Sequence, residues 1–181
     1  MEWPFYRSNA RRSAHEHGVA EGVEKVALSN GIGIGRKDVL PAADGAGTFK
    51  PVTADDTDDH VLHPEEIAIP AATRAAVARA RKESRRVIAV GTTVARSLEA
   101  AALREDTGPG VDLRFATDLF IKPGFEFRAI DGLLTNFHLP QSTLLMLVCA
   151  FAGRERILAA YADAIREGYV FYSFGDAMLV A

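Results

Sequence analysis

Arg86-Val87-Ile88-Ala89-Val90-Gly91-Thr92-Thr93-Val94-Ala95-Arg96-Ser97-Leu98 is the stretch that decides the fold class. Its first five residues are mostly apolar and β-branched and predict a buried strand. Gly91 then turns the chain, Thr92 or Thr93 can cap, and Val94, Leu98 and Ala102 recur at helical spacing. A helix precedes this unit, with Pro70 at its first helical position and its end near Ser84. Helix, strand, turn and helix in that order are the grammar of layered α/β proteins. The expected fold is therefore a partial α/β layered domain of short strands and helices.

Such sheets bind ligands beyond the carboxyl ends of their strands, where free backbone N–H groups and the helix dipole favour anions. Thr92 and Thr93 thus become candidates for holding a carboxylate or phosphate, and Arg96, one turn on, can pair with the same anion. A capped helix with nothing bound explains the threonines equally well, and Arg96 can instead form an i,i+3 surface pair with Glu99.

Working outward, Thr48–Val52 and Glu66–Ile69 read as strands, and Asp118–Ile121 and Glu126–Ile130 as a hairpin around Lys122-Pro123-Gly124-Phe125. Asn136 to Pro140 reads as a loop, because Pro140 disfavours helix at Leu139. Ser142 or Thr143 can then cap a buried helix, Thr143 to Ala152, which Gly153 closes. Ile157, Leu158, Tyr161 and Ile165 lay an apolar stripe on a second helix ending at Gly168. Tyr169–Ser173 and Ala177–Val180 are the last expected strands. Residues 1–44, with a Gly31–Gly35 GIGIG run and weak periodicity, are expected to be poorly ordered, and residues 45–181 to form the domain.

Composition narrows the function classes. With 48% hydrophobic and 25% charged residues in 181, the chain has the make-up of a folded domain. Its longest apolar run, Leu144–Ala152, is too short to cross a bilayer, for which about 20 residues are needed. No secretory leader pattern opens the sequence, so a cytoplasmic protein without a membrane partner is expected. The single cysteine, Cys149, excludes an internal disulfide and a cysteine-rich zinc site. A net charge of −3 lacks the basic excess of an autonomous nucleic-acid binder. Charge is nonetheless segregated: six acids and no base lie between Thr53 and Glu66, and six bases against Glu83 alone from Arg74 to Arg86. Two solvated faces are the favoured explanation over an RNA-facing stripe.

A second cluster lies at Asp131-Gly132-Leu133-Leu134-Thr135-Asn136-Phe137-His138-Leu139-Pro140-Gln141-Ser142-Thr143. Many different polar side chains here precede the most apolar helix of the chain. His138 is the one group with an ordinary pKa near neutrality and is the candidate for proton transfer, against the commoner role of a structural donor. Phe137 can stack on a base or pack in the core, the latter being commoner. A third cluster, Asp59-His60-Val61-Leu62-His63-Pro64-Glu65, has two histidines at i,i+3, but Pro64 opposes the helix that would align them and no further ligands stand at metal spacing. No metal is expected.

Taken together, GAGTFKPV from Gly45, DHVLHPE from Asp59, RVIAVGTT and ARSLE from Arg86, DLFIKPGFEF from Asp118, TNFHLPQSTLLMLV from Thr135 and YVFYSFGDAML from Tyr169 resemble successive signatures of the S-adenosylmethionine:tRNA ribosyltransferase-isomerase family. The resemblance implies transfer of the ribosyl group of S-adenosylmethionine to a 7-aminomethyl-7-deazaguanine wobble base of tRNA, giving epoxyqueuosine with loss of adenine and methionine. S-adenosylmethionine is then a substrate, and no cofactor is implied. A base must remove a proton beside the sulfonium, whose positive sulfur acidifies the adjacent carbon. The resemblance gives His138 that role and Asp176 that of an acid or a partner for a ribose hydroxyl. Thr135, Asn136 and Ser142 would position substrate, and Thr92, Thr93 and Arg96 would hold the methionine carboxylate or an RNA phosphate.

Family members also carry an N-terminal portion and an inserted β-barrel domain, neither visible in this sequence, and Leu40-Pro41-Ala42-Ala43-Asp44 replaces their leucine-histidine-valine-glycine pattern. A shifted reading frame or misplaced start is the favoured explanation, and the 181-residue chain alone is expected to be inactive. The competing functions are a catalytically silent RNA- or metabolite-binding remnant and a subunit completed by a separate N-terminal half. Oligomeric state is left open.

Overall fold

A computed structural model describes residues 5–6, 27–29, 62, 64–104 and 111–181. Its elements in chain order are β1 (Phe5–Tyr6), β2 (Ala27–Ser29), β3 (Glu65–Ile69), α1 (Ala71–Lys82), β4 (Ile88–Val90), α2 (Thr92–Ala102), β5 (Leu113–Thr117), β6 (Gly132–Asn136), α3 (Thr143–Ala152), α4 (Arg154–Arg166) and β7 (Ala177–Val180). Five strands form one sheet in the order β1-β7-β6-β4-β2, and β3 and β5 form a separate antiparallel ribbon. Within the larger sheet β2, β4 and β6 run parallel, Leu28 facing Ala89 and Ala89 facing Leu133. β7 returns antiparallel to β6, and β1 antiparallel to β7. The molecule is a mixed α/β fold with small sheets, as the strand–turn–helix grammar predicts.

The core sits between the sheet and its helices. Val87, Ala89 and Leu133 are completely buried, covered by Leu98 of α2, Leu147 and Val148 of α3, and Ile157 and Tyr161 of α4. Phe137, just beyond β6, is also completely buried, with the rings of Tyr161, Tyr169 and Phe171 centred 5.2–5.7 Å from its own. Phe137 is thus a core residue, and the base-stacking alternative is set aside. Among the described residues no helix is long and apolar enough to cross a membrane.

Several local expectations are corrected. Pro70 precedes α1 in an extended conformation instead of occupying its first turn. Having no N–H and no side-chain acceptor, it leaves the capping to Asp112, whose Oδ1 accepts the Ala71 N–H at 2.9 Å. Gly91, and neither Thr92 nor Thr93, is the N-cap of α2. Its φ of 98° lies where L side chains are strained, so the turn after β4 needs glycine. The buried residues of α2 are Thr92, Ala95, Leu98, Glu99 and Ala100, with Ala102 exposed. On α4 the buried positions are Ile157, Tyr161 and Ala164, while Leu158 and Ile165 face solvent.

The expected hairpin over 118–130 is absent; the strand β5 lies just before it, paired with β3 so that Phe115 faces Ile67. Residues 128–130 give their N–H groups to a carboxylate instead of a strand: Glu99, completely buried, accepts from Arg128, Ala129 and Ile130 at 2.8–3.1 Å. Glu99 therefore cannot form the expected surface pair with Arg96, which is paired with Glu65. Asn136, expected to open a loop, is instead the last residue of β6, a strand at the middle of the sheet that was not expected. No strand forms over Tyr169–Ser173, which turns back through Gly175. Ser142 caps α3, its Oγ accepting the Leu145 N–H at 3.1 Å, as one of the two expected candidates. Thr48–Val52, His60 and His63 lie outside the described residues.

Candidate functional site

The parallel pairing of β4 and β6 places their carboxyl ends side by side, Val90 opposite Leu134, with the Gly91 N–H donating to the Leu134 carbonyl at 2.8 Å. From this one edge the chain leaves through Gly91 into α2 and through Phe137–Ser142 into α3. Two polar groupings that stand some 40 positions apart in the chain are thereby brought to the same end of the sheet.

The first grouping surrounds His138. Its Nε2 lies 2.9 Å from Thr135 Oγ1, and its backbone N–H donates to the Tyr161 hydroxyl at 2.8 Å. Burial lowers the imidazole from 6.5 to about 4, so His138 is neutral at physiological pH. Burial also pushes Tyr161 up to about 12, against the opposing effect of the His138 N–H, and the phenol stays protonated. Asn136 Nδ2 donates to the carbonyls of Gly175 and Asp176 at 3.2 and 3.4 Å, tying the end of β6 to the 170–176 turn. Asp176 is 5% exposed, and its Oδ2 accepts the Val170 N–H at 2.8 Å. A Cβ at Gly175 would collide with the Val170 carbonyl, so this turn closes only around glycine. Ser142 Oγ also donates to the Leu139 carbonyl at 2.8 Å. Thr135, Asn136, Ser142 and Asp176 thus all take part in holding the loop that presents His138.

The second grouping lines a small hollow between the starts of α2 and α3. Thr92, Thr93 and Arg96 line it together with Thr143. No side chain caps α2. Arg96 is largely buried and ion-paired with Glu65 of β3. Thr143 is 8% exposed, and its Oγ1 is the one buried side-chain polar atom among the described residues without a hydrogen-bond partner. The sequence marks Thr143 only as a possible cap and does not single out Glu65; a second hydroxyl next to the capping Ser142 was the available signal for the former. The base-rich run of α1 is spent partly on architecture: Arg81 pairs with Asp131 at 2.9 Å, and Arg74 donates to the Val111 carbonyl at 2.7 Å.

Comparison with known proteins agrees with the motifs. The family described as queuosine biosynthesis protein matches residues 36–180. A protein of Heliobacterium modesticaldum named S-adenosylmethionine:tRNA ribosyltransferase-isomerase is 56% identical over 140 residues, covering 75% of this chain and 39% of its own length. A protein of the same name from Acidithiobacillus ferrooxidans is 57% identical over 141 residues, covering 76% and 39%. The crystal structure of S-adenosylmethionine tRNA ribosyltransferase from Thermotoga maritima superposes with a TM-score of 0.59 at 45% identity, over 65% of this chain and 40% of that one. The chain spans about two fifths of the length of these relatives. With the family matched over most of its residues, and with its signatures building both polar groupings at one sheet edge, the chain belongs to the queuosine biosynthesis protein family.

Proposed function

We propose that this chain carries the S-adenosylmethionine-binding and proton-transferring part of a cytoplasmic tRNA-modifying ribosyltransferase-isomerase. The substrates would be S-adenosylmethionine and a tRNA with 7-aminomethyl-7-deazaguanine at its wobble position, and the product epoxyqueuosine. The observation that carries this reading is the convergence of the His138 loop and the Thr92–Thr93–Arg96 hollow at the carboxyl ends of two adjacent parallel strands.

In this reading the neutral imidazole of His138 has a lone pair available to take the proton beside the sulfonium. A conjugate acid at about 4 supplies less driving force than one near neutrality, so positioning has to contribute much of the rate. Thr135 fixes the ring through Nε2, Asn136 and Ser142 hold the backbone on either side, and Asp176 offers a carboxylate to a ribose hydroxyl at the turn that Asn136 grips. Thr92, Thr93 and Arg96 take an anionic group of the substrate. The 181-residue chain by itself is inferred to lack turnover.

A chimera tests the reading: residues 45–181 replace the matching segment of the Heliobacterium modesticaldum relative. Adenine release dependent on tRNA carrying the 7-aminomethyl-7-deazaguanine base is expected. A folded chimera that binds S-adenosylmethionine or tRNA but releases no adenine would mark this chain as a silent remnant.

A further inference from the structure

The hollow between α2 and α3 has three properties that together select a ligand. It has an unspent hydrogen-bonding group, Thr143 Oγ1, buried and without a partner, beside the uncapped start of α2. Leaving such a hydroxyl unsatisfied is unfavourable, and a native fold keeps one where something else completes it. Second, Arg96, the charged residue of its lining, is already neutralised by Glu65 of β3. A ligand with a single negative charge, such as a phosphate, would displace Glu65 from Arg96 and leave two anions facing one cation. A ligand that is itself a zwitterion exchanges partners without leaving a charge uncompensated. Third, Leu119, Ile121, Leu144 and Leu147 form the apolar part of the lining, which suits an unbranched thioether chain.

We propose that this hollow is an α-amino-acid subsite that takes the methionine end of S-adenosylmethionine. Its carboxylate lies between Arg96, the Thr143 hydroxyl and the first N–H groups of α2, and its ammonium is received by Glu65. This rests on the function proposed above and deepens it, because it gives Thr143 and Glu65 substrate-binding roles and decides between the two anions considered for Thr92, Thr93 and Arg96.

The test is calorimetric titration of the whole chain with S-adenosylmethionine, L-methionine, 3-(methylthio)propylamine, which lacks the carboxylate, and inorganic phosphate. The first two are expected to bind, and the last two to bind at least tenfold more weakly, as loss of hydrogen bonds to a charged group implies, roughly. Thr143→Val should weaken S-adenosylmethionine and L-methionine by about tenfold or more while the ligand-free protein melts no lower, since the change removes an unsatisfied buried hydroxyl and keeps the shape. Glu65→Gln should weaken both ligands as well. If S-adenosylmethionine binds but neither variant changes its affinity, the subsite is overturned and the proposed function stands. If L-methionine binds through Thr143 and S-adenosylmethionine does not, the subsite stands and the function falls. Thr143-dependent binding of phosphate in place of methionine overturns the amino-acid assignment in favour of an RNA phosphate, and absence of all binding overturns both readings.

Discussion

The neutrality of His138 at pH 7 has a consequence for folding as well as for chemistry. Its folded value of about 4 lies below the ordinary 6.5, so on acidification the unfolded chain takes up the proton first. The stability associated with the buried neutral ring is therefore complete above pH 6.5 and is lost as the pH falls from 6.5 towards about 4. At about 1.4 kcal/mol per pH unit this amounts to roughly 3 kcal/mol over the window. Thermal melts of the wild-type chain should drop across that interval, and His138→Gln, which does not titrate, should lack this component. Equal pH profiles for the two proteins would mean that the imidazole is not held neutral by burial. The same substitution in the active chimera should lower turnover far more than melting temperature at about pH 7.5, where the wild-type ring is neutral. The placement of His138 in a polar loop was legible from the residues themselves; its depressed pKa was not. Depression comes from burial of the ring in the folded chain, where even the His138 backbone N–H is held by Tyr161, 23 positions away.

Among the elements, α2 shows how a tertiary contact overrides a local pattern. The run from Val87 to Thr93 declared a strand, a glycine turn and a helix, and all three are present. Of the residues whose spacing announced the helix, Leu98 is buried and Val94 packs against the core, while Ala102 is exposed and Glu99, a residue normally given to solvent, lies inside. Its carboxylate replaces the strand partner that residues 128–130 would otherwise need, which is also why no hairpin forms there. β5 was not expected, because Ala116 on its exposed face blurs the apolar–polar alternation of a strand whose burial does alternate along Leu113–Thr117. β6 hid behind Thr135 and Asn136, whose polarity suggests a loop until their partners, His138 and the 175–176 carbonyls, are known. Glu99→Gln should accordingly be costly despite its near-identical shape. An amide offers one acceptor oxygen and turns its N–H₂ towards backbone donors, so at least one charge-assisted bond is lost, at about 2–3 kcal/mol. Urea unfolding should show a lower midpoint with an unchanged slope. A midpoint equal to wild type would remove Glu99 as the anchor of the 128–130 segment.

At the scale of the whole molecule, catalysis by this chain alone would require it to hold a nucleoside sulfonium and a large polyanion in one geometry. Its charge opposes capture of the polyanion, because the net value is −3 and, of the bases concentrated in α1, Arg81 and Arg74 are engaged with Asp131 and the Val111 carbonyl. Affinity for RNA comes mainly from neutralising phosphates, so a weak grip on tRNA is expected. Misplacing a reacting group by about an ångström costs on the order of a hundredfold in rate, and the chain spans about two fifths of the length over which its relatives distribute their contacts. Its surface also exposes large apolar groups near the His138 loop, including Val170, Tyr172 and a completely exposed Phe174. The Tyr172 N–H donates to the Phe137 carbonyl, so this apolar turn is fastened to the loop that carries His138. Self-association through that surface would cover the loop from substrate. The purified 181-residue chain is therefore expected to elute larger than a monomer at micromolar concentration and to release no adenine from S-adenosylmethionine in the presence of precursor tRNA. Phe174→Ser should shift it towards the monomer without restoring activity. Adenine release by a monodisperse preparation, dependent on the modified base, would show instead that this sheet edge holds a complete catalytic site.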